Sequence, residues 1–493
     1  MNQLALYAKG LTSKASQMLF GYDALKDRGK RQSTSGRSVK QEELECKASE
    51  RRKLVATQLD QFRNFSLVRF ACQKHLDYCT QFQLVSQTGI KELDERIEWL
   101  WSRYKRAKNC HLAGQHSLDM IIRLWDLCKL LNGDSGILLA DGGKLQIIEG
   151  NRVALPGDLP EKLKTKIGEH GCEIDKNGKI LNFCVCKRDN NNTLQYDTLI
   201  DSEFMVWCGY YFRNDQVRAV SPIASCLNTL QDLYESYEYQ LIKAKLHALW
   251  GVVITSDAVT SVGGFGDKKV IEDDTSTDPK YTFDLTPGKP FKVELDKGED
   301  AKPFESNTPS AEFTSYSRQM IRLALSALDI PLSFYDADGC NWAGRKFDLI
   351  EYQKSCEWKR ANNREALERI FDWKIEQFIV EDETLAKLLR DNKLEAQDIR
   401  YGFVSVGDRY MDEYAEAQAA LLRVNGGLSS RKREVARYGL DWQDIVTELA
   451  NEEATIKESG ISVTTGQPGQ PNTTDKNTTS ADTANEEVIN NDK

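Results

Sequence analysis

The sequence predicts an α+β protein, mainly helical, organised around one unusually long helix. Apolar residues recur at spacings of three and four across 66–132, 223–250, 310–330 and 410–459, the mark of amphipathic helices. Between about 136 and 212 the period shortens to alternating runs such as "KLQIIE" and "KILNFCVCKR", separated by Gly- and Asn-rich turns, which reads as strands. From about Arg345 to Phe378, the residues Phe347, Ile350, Trp358, Ala361, Leu367, Ile370 and Phe371 form a broad apolar face. At 1.5 Å per residue that helix runs roughly 50 Å. It is too long for one small domain, so it must cross between domains or subunits.

Taken in order, residues 1–65 are polar and basic in patches around "STSGRS" and are expected to form a flexible N-terminal arm. An α+β domain follows over 66–222. In it "IKELDERIEWLWSRYKRA" places Ile90, Leu93, Ile97, Leu100 and Tyr104 on one stripe, and Ser117 is suited to cap "LDMIIRLWDLCKLL". The helix expected at 223–250 alternates threes and fours through Leu227, Leu230, Tyr234, Tyr237 and Leu241, the seam of a helix packed against supercoiled neighbours. A second such seam, Phe313, Tyr316, Met320 and Leu323, marks a helix at 310–330. Between them, 251–309 reads as a β-module in which "YTFDL" and "FKVEL" flank a Thr-Pro-Gly-Lys turn.

The two strong helical patterns on either side of 331–345 are separated by a loop of acids, glycines and aromatics, including Asp336, Asp338, Gly339, Asn341, Trp342 and Arg345. The long helix is expected at 346–380 and a C-terminal helical region at 381–460, where Gly426–Gly427 stops one helix and Ser429 or Ser430 caps the next. Residues 461–493 are low-complexity and expected to be disordered.

Composition narrows the class. Hydrophobic content of 40% with 29% charged residues describes a soluble globular chain. No stretch approaches the roughly 18 apolar residues of a membrane span, and the N-terminus lacks a secretory pattern, so no membrane association is expected. The twelve cysteines are scattered and expected to be reduced and mostly buried. Only Cys184 and Cys186 are close, on one face of a strand, with nothing nearby to complete a metal set. A net charge of −9 argues against a DNA-coating protein but suits a surface past which DNA slides.

Catalytic patterns are lacking: there is no G-x-x-x-x-G-K-[ST], no H-E-x-x-H and no G-x-S-x-G. "SVGGFGDKK" reads as a flexible loop, and His111 and His116, five apart in a polar connection, as solvated. The acidic "IEDDTSTD" reads as a solvated loop, the rival being a two-metal nuclease using Asp273 and Asp274. No catalytic residue, metal or cofactor is therefore expected. Helical seams with tyrosines, a long spanning helix and loose ends suit an assembly of identical chains.

Six stretches, in order, resemble the portal proteins of tailed bacteriophages, most closely the lambda-like family, over roughly 60–461. They are "RFACQKHLDYCTQFQLVSQTGI", "LLNGDSGILLADGGKLQIIEGNRVALP", "EIDKNGKILNFCVCKRD", "FRNDQVRAVSPIASCLNTLQDLYESYEYQLIKAKLHA", "IRLALSALDIPLSFYDADGCNWAGRKFDLIEYQ" and "NGGLSSRKREVARYGLDWQDIVTELANEEATIKESGI". The chain departs from the family in having Ala219 after Arg218, and Trp342 and Gly344 where Tyr and Ser are usual.

The resemblance implies a portal fold: a wing (66–222), two stem helices (223–250 and 310–330), a clip (251–309), a tunnel loop (331–345), a long wing helix (346–380) and a crown (381–460). It implies a homo-oligomeric ring of about twelve subunits at one capsid vertex of the virion, assembled in the host cytoplasm. Double-stranded DNA would enter through it without sequence specificity, driven by the terminase large subunit, and leave on ejection. The other implied partners are a head–tail adaptor and a major capsid or scaffold protein. The same resemblance places Asp336, Asp338, Asn341 and Trp342 near the channel. It suits a gene-transfer particle equally well.

Overall fold

The computed structural model describes residues 40–249, 252–256, 299–303, 310–405, 413–440 and 442–459, and the chain divides into units 1–413 and 414–493. The larger unit opens with α1 (Glu42–Glu45), α2 (Ala48–Asn64) and α3 (Ser66–Cys79). Strand β1 (Phe82–Ser86), helices α4 (Lys91–Tyr104), α5 (Ala107–Cys110) and α6 (Leu118–Asn132) come next. Strands β2 (Asp134–Ala140) and β3 (Lys144–Glu149), the short α7 (Glu161–Lys164), and β4 (Cys172–Ile174), β5 (Ile180–Arg188), β6 (Leu194–Asp201) and β7 (Met205–Gly209) complete an α+β region. It is followed by α8 (Leu227–Leu249), β8 (Val252–Ser256), β9 (Glu299–Pro303), α9 (Ala311–Leu325), α10 (Trp342–Glu381), α11 (Glu383–Asp391) and β10 (Tyr401–Ser405). The smaller unit holds α12 (Glu413–Asn425, starting at the boundary), α13 (Arg431–Ala436) and α14 (Trp442–Ser459).

Four small antiparallel sheets are present among the described residues: β3-β2-β7, β4-β5-β6, β1-β10 and β8-β9. A register shift between Val185 and Cys186 sits in β5, and Cys184 and Cys186 are both fully buried in one cluster while Val185 faces another. Among the described residues, no three His, Cys, Asp or Glu side chains are grouped to hold a metal, and no helix is long and apolar enough to cross a membrane.

Two apolar cores carry the larger unit. One gathers α4, α6, β2, α11, β10 and the C-terminal half of α10 around Trp101, Trp125, Ile370 and Phe371. The other gathers α3, the start of α8, the end of α9 and the front of α10 around Leu67, Leu230, Leu325 and Tyr352. Helix α10 thus runs from one core to the other, which is why the sequence gives it 40 residues. Its apolar face divides accordingly: Leu367, Ile370 and Phe371 are buried, while Phe347, Ile350 and Trp358 are exposed by 66%, 54% and 74%.

Two boundaries differ from the sequence reading. The arm expected over 1–65 does not extend to 65. Residues 42–45 and 48–64 are helical, and Leu54, Val55 and Gln58 are buried because α2 lies across the segment leading into α8. Second, 381–405 does not join the C-terminal helices: Leu385 and Leu389 enter the first core, and β10 pairs with β1, Phe82 opposite Ser405. The hairpin expected at "YTFDL" and "FKVEL" lies outside the described residues, as do Asp273, Asp274 and 461–493. The described part of 251–309 is the β8–β9 pair.

Candidate functional site

The loop ahead of α10 is held at its base and open at its tip. Helix α9 starts on a Ser310 cap, whose hydroxyl accepts from the Phe313 amide at 3.2 Å, and ends in a tight turn. There Asp329 adopts a left-handed backbone (φ 60°) and the Ile330 amide reaches back to Leu325 O at 3.1 Å. That conformation favours Gly, and here a side chain earns its place by holding α10. The Asp329 carboxylate accepts from the Ser355 hydroxyl (2.7 Å) and Lys359 Nζ (3.0 Å). Partial burial pushes this carboxyl up, but Ser355 and the Lys359 ammonium more than offset it and hold it below its ordinary value.

Ser333 is buried and donates to Asp348 at 2.5 Å, and Phe334 packs between Tyr78 and Tyr352. Asp336 pairs with Arg318 of α9 at 3.1 Å, and the same guanidinium also donates to Asp338 O. Beyond Asp336 the chain is exposed. Gly339 takes a positive φ of 76° with open space around it. Asn341 caps α10 by accepting from the Gly344 amide at 2.7 Å, a cap that contributes about 1 kcal/mol. Trp342 is 54% exposed, covered by Lys346, whose ammonium lies 5.1 Å from the ring centre. Arg345 lies exposed on the first turn of α10 and makes no ion pair among the described residues.

The structure thus brings Asp338, Gly339, Asn341, Trp342 and Arg345 onto one exposed tip, with Asp336 set back in an ion pair. Trp342 does not pack into the protein, although its size favours burial.

The two seams meet only in part. Leu227 and Leu230 are buried, Tyr237 packs edge-on against Phe313 with centroids 5.6 Å apart, and Met320 is half-buried. Tyr234 touches Phe65 yet stays exposed, as do Leu241, Tyr316 and Leu323. The buried face of α9 is instead Ser317, Ile321, Ala324 and Leu325, one residue round from the predicted stripe. Each residue turns a helix by 100°, so the predicted stripe borders the internal contact and half of it looks outward.

Two buried polar clusters elsewhere in the larger unit were not assembled from the sequence. Asp134, at the start of β2, is fully buried and grips Arg218 with both oxygens (2.8 Å each) and Arg51 Nη2 at 2.9 Å. Arg218 also donates to the carbonyls of Gly150, Val153 and His170, and Arg51 to those of Ala219 and Asn132. Burial pushes the Asp134 carboxyl up, but Arg218 and Arg51 more than offset it and hold it below its ordinary value. Burial lowers Arg218, but Asp134 leaves it net raised. Gly133 must be glycine here: its φ is 91°, and a Cβ would meet Ala219 O at 2.5 Å.

The second cluster lies where α10 passes between the cores. Lys129 pairs with Asp126 (2.8 Å) and donates to Asn363 Oδ1 (2.7 Å), and Asn363 donates to Cys79 O (3.0 Å). His75 Nε2 lies 3.2 Å from Asp126 Oδ2 and 3.2 Å from the Tyr210 hydroxyl. Burial holds His75 below its ordinary value against the pull of Asp126. The sequence signal for both clusters was a charged residue inside an otherwise apolar or turn segment, without any indication of its partner.

A family model described as phage portal protein, lambda family, matches residues 28–360, well over half of the 493. The chain belongs to that family, a structural rather than enzymatic one. Among solved structures, one similar chain comes from the "Virion of native gene transfer agent (GTA) particle", with a TM-score of 0.47 and 12% identity, covering 87% of this chain and 99% of that one. Another comes from the "Neck of native GTA particle computed with C12 symmetry", with TM-score 0.46, 13% identity and the same coverage. A third, from the "Neck of empty GTA particle computed with C6 symmetry", has TM-score 0.42 and 12% identity, covering 78% and 93%. No curated protein matches.

Proposed function

We propose that this chain forms a closed ring of about twelve copies at one vertex of a virion, enclosing a channel through which double-stranded DNA is packaged and later ejected. The observation that carries this reading is the apolar surface a single copy leaves in water. Tyr237, Tyr239, Leu241 and Ile242 on α8, Tyr316 and Leu323 on α9, and Phe347, Ile350 and Trp358 on α10 are all more than 40% exposed. Patches on that scale mark interaction surfaces.

The smaller unit adds to it. Leu421, Leu422, Leu428, Leu440 and Leu449 are exposed, and Glu434, held by Arg423 at 2.7 Å, is its one buried side chain in a helix among the described residues. Its short α13 carries Arg431, Lys432 and Arg433, whereas α14 carries Glu448, Glu452, Glu453 and Glu458. A basic helix and an acidic one on the same unit suit head-to-tail contact between copies, the kind that closes rings.

In this reading α8 and α9 are the stem, β8–β9 is the root of the clip, and the Asp338–Arg345 tip faces the channel. The terminase large subunit and a head–tail adaptor bind in turn at the clip, and capsid or scaffold protein contacts the wing. Such a ring needs no catalytic residue of its own. A photo-crosslinking residue at position 341 or 342, irradiated in DNA-filled particles, is expected to give portal–DNA adducts. Consistent absence of adducts, with the ring intact, would remove the loop from the channel wall.

A further inference from the structure

We propose that the pocket between α2, the turn after β3 and the turn before β4 binds a small free oxyanion, inorganic phosphate being the simplest, held by Arg51, Arg52 and His170.

Charge is unbalanced in the Asp134 cluster. Arg218 and Arg51 are only 3% and 9% exposed, yet the two share a single carboxylate. Buried charges are ordinarily paired. Neighbouring acids do not restore the balance. Glu50 is committed to the Lys47 amide at 3.2 Å, and burial pushes the Cys46 thiol up to about 11, so it stays uncharged near neutral pH. Asp134 more than offsets burial for Arg218 but not for Arg51, which stays below its ordinary value. The missing counter-charge is therefore owed to Arg51.

Hydrogen-bond donors point to the same side chain. All five N–H groups of Arg218 are used, by the two Asp134 oxygens and the carbonyls of Gly150, Val153 and His170. Arg51 commits only Nη2. Its Nε and Nη1 have no partner among the described residues, and its side chain keeps 11% exposure.

Arg51 lines a pocket with Arg52, Glu169, His170 and Arg218. The enclosed space is about 20 Å³, above the roughly 10–15 Å³ that one water-sized group needs. One oxygen of an oxyanion fits there, with the rest of the anion at the mouth. Arg52 is exposed on that wall and makes no bond among the described residues. His170 adds an enclosed Nδ1 without a partner, a donor in the matching tautomer. Glu169 opposes the anion, but it is exposed, where salt and water screen it. A bound oxyanion would supply the missing charge and tie α2 to both turns through charge-assisted hydrogen bonds. A water in the same place would supply no charge.

The test is equilibrium dialysis of radiolabelled inorganic phosphate against the full chain in chloride buffer at neutral pH, for the parent and Arg52→Gln. The folding control is the denaturation midpoint in chloride, which should match between the two because Arg52 is exposed and unbonded. The expected result is about one phosphate per chain in the parent and binding at least about tenfold weaker in the variant, the scale of one hydrogen bond to a charged group. A short DNA duplex at the same phosphate concentration should not displace it. Three results overturn the proposal. No phosphate retained by the parent would leave the pocket to water. Equal retention by both proteins would put the anion elsewhere. Displacement by the duplex would assign the pocket to a nucleic-acid backbone instead of a free anion. None depends on ring closure, so failure here leaves the portal reading untouched.

Discussion

Asp134→Asn is expected to cost about 3–5 kcal/mol of stability, the usual penalty for removing one partner of a buried ion pair. The substitution keeps the shape but leaves two guanidinium groups, Arg218 and Arg51, buried without a counter-charge. It also loosens the junction where α2, the end of α6, β2 and the lead-in to α8 meet, because the Ala219 amide bonds the same carboxylate at 3.0 Å. Arg218→Lys should behave almost as badly, since a single ammonium cannot hold both Asp134 oxygens and three carbonyls at once. Chemical denaturation checks both: the midpoint should fall with an unchanged slope. A loss below about 1 kcal/mol for Asp134→Asn would show that the cluster is not a structural anchor.

Lys129→Met is the second large effect, again about 3–5 kcal/mol near neutral pH, and its pH dependence identifies the cause. In the parent, His75 titrates below its ordinary value of 6.5, held down by burial and, among its neighbours, by Lys359 and Lys129. The unfolded chain therefore takes up the proton first. The stability this histidine contributes is present above pH 6.5 and is lost as pH falls from 6.5 toward its lower folded value. His170 and His111, also lowered by burial, act in the same direction. In the variant, Asp126 has lost its ammonium partner, so a protonated His75 becomes its best neighbour. The gap between parent and variant should therefore shrink from pH 8 to pH 5.5. A gap constant over that window would mean that Lys129 acts through packing over Trp125 and Tyr210 rather than through Asp126.

What the sequence made legible was whatever is written locally. The Ser117 cap accepts from the Met120 amide as expected, and the long helix expected from about 345 to 378 spans Trp342–Glu381, opened by the Asn341 cap. The exposed tip was legible too, since acids and glycines between two strong helices leave little to bury. Pairings distant in sequence were not. Asp134 and Arg218 each stand in a distinctive turn, but nothing in either turn points to the other. The β1–β10 pair joins Ser86 to Tyr401 with no repeat or shared pattern to announce it. The arm was extended too far because α2 opens on the charged run Glu50–Lys53 and is polar over most of its length, and Arg51 looks like a surface residue until Asp134 is placed beneath it. On α9 the periodicity gave a helix but not its facing, because an apolar stripe on both sides leaves the rotation open until a partner is known.

The portal account rests on closure into a ring, and the mass and rotational symmetry of the purified protein test it most directly. Light scattering with electron-microscope class averages should show about twelve copies of the 56.0 kDa chain around a central hole. A compact dimer with a closed centre would contradict the account, because its exposed helices would then be covered without forming a channel.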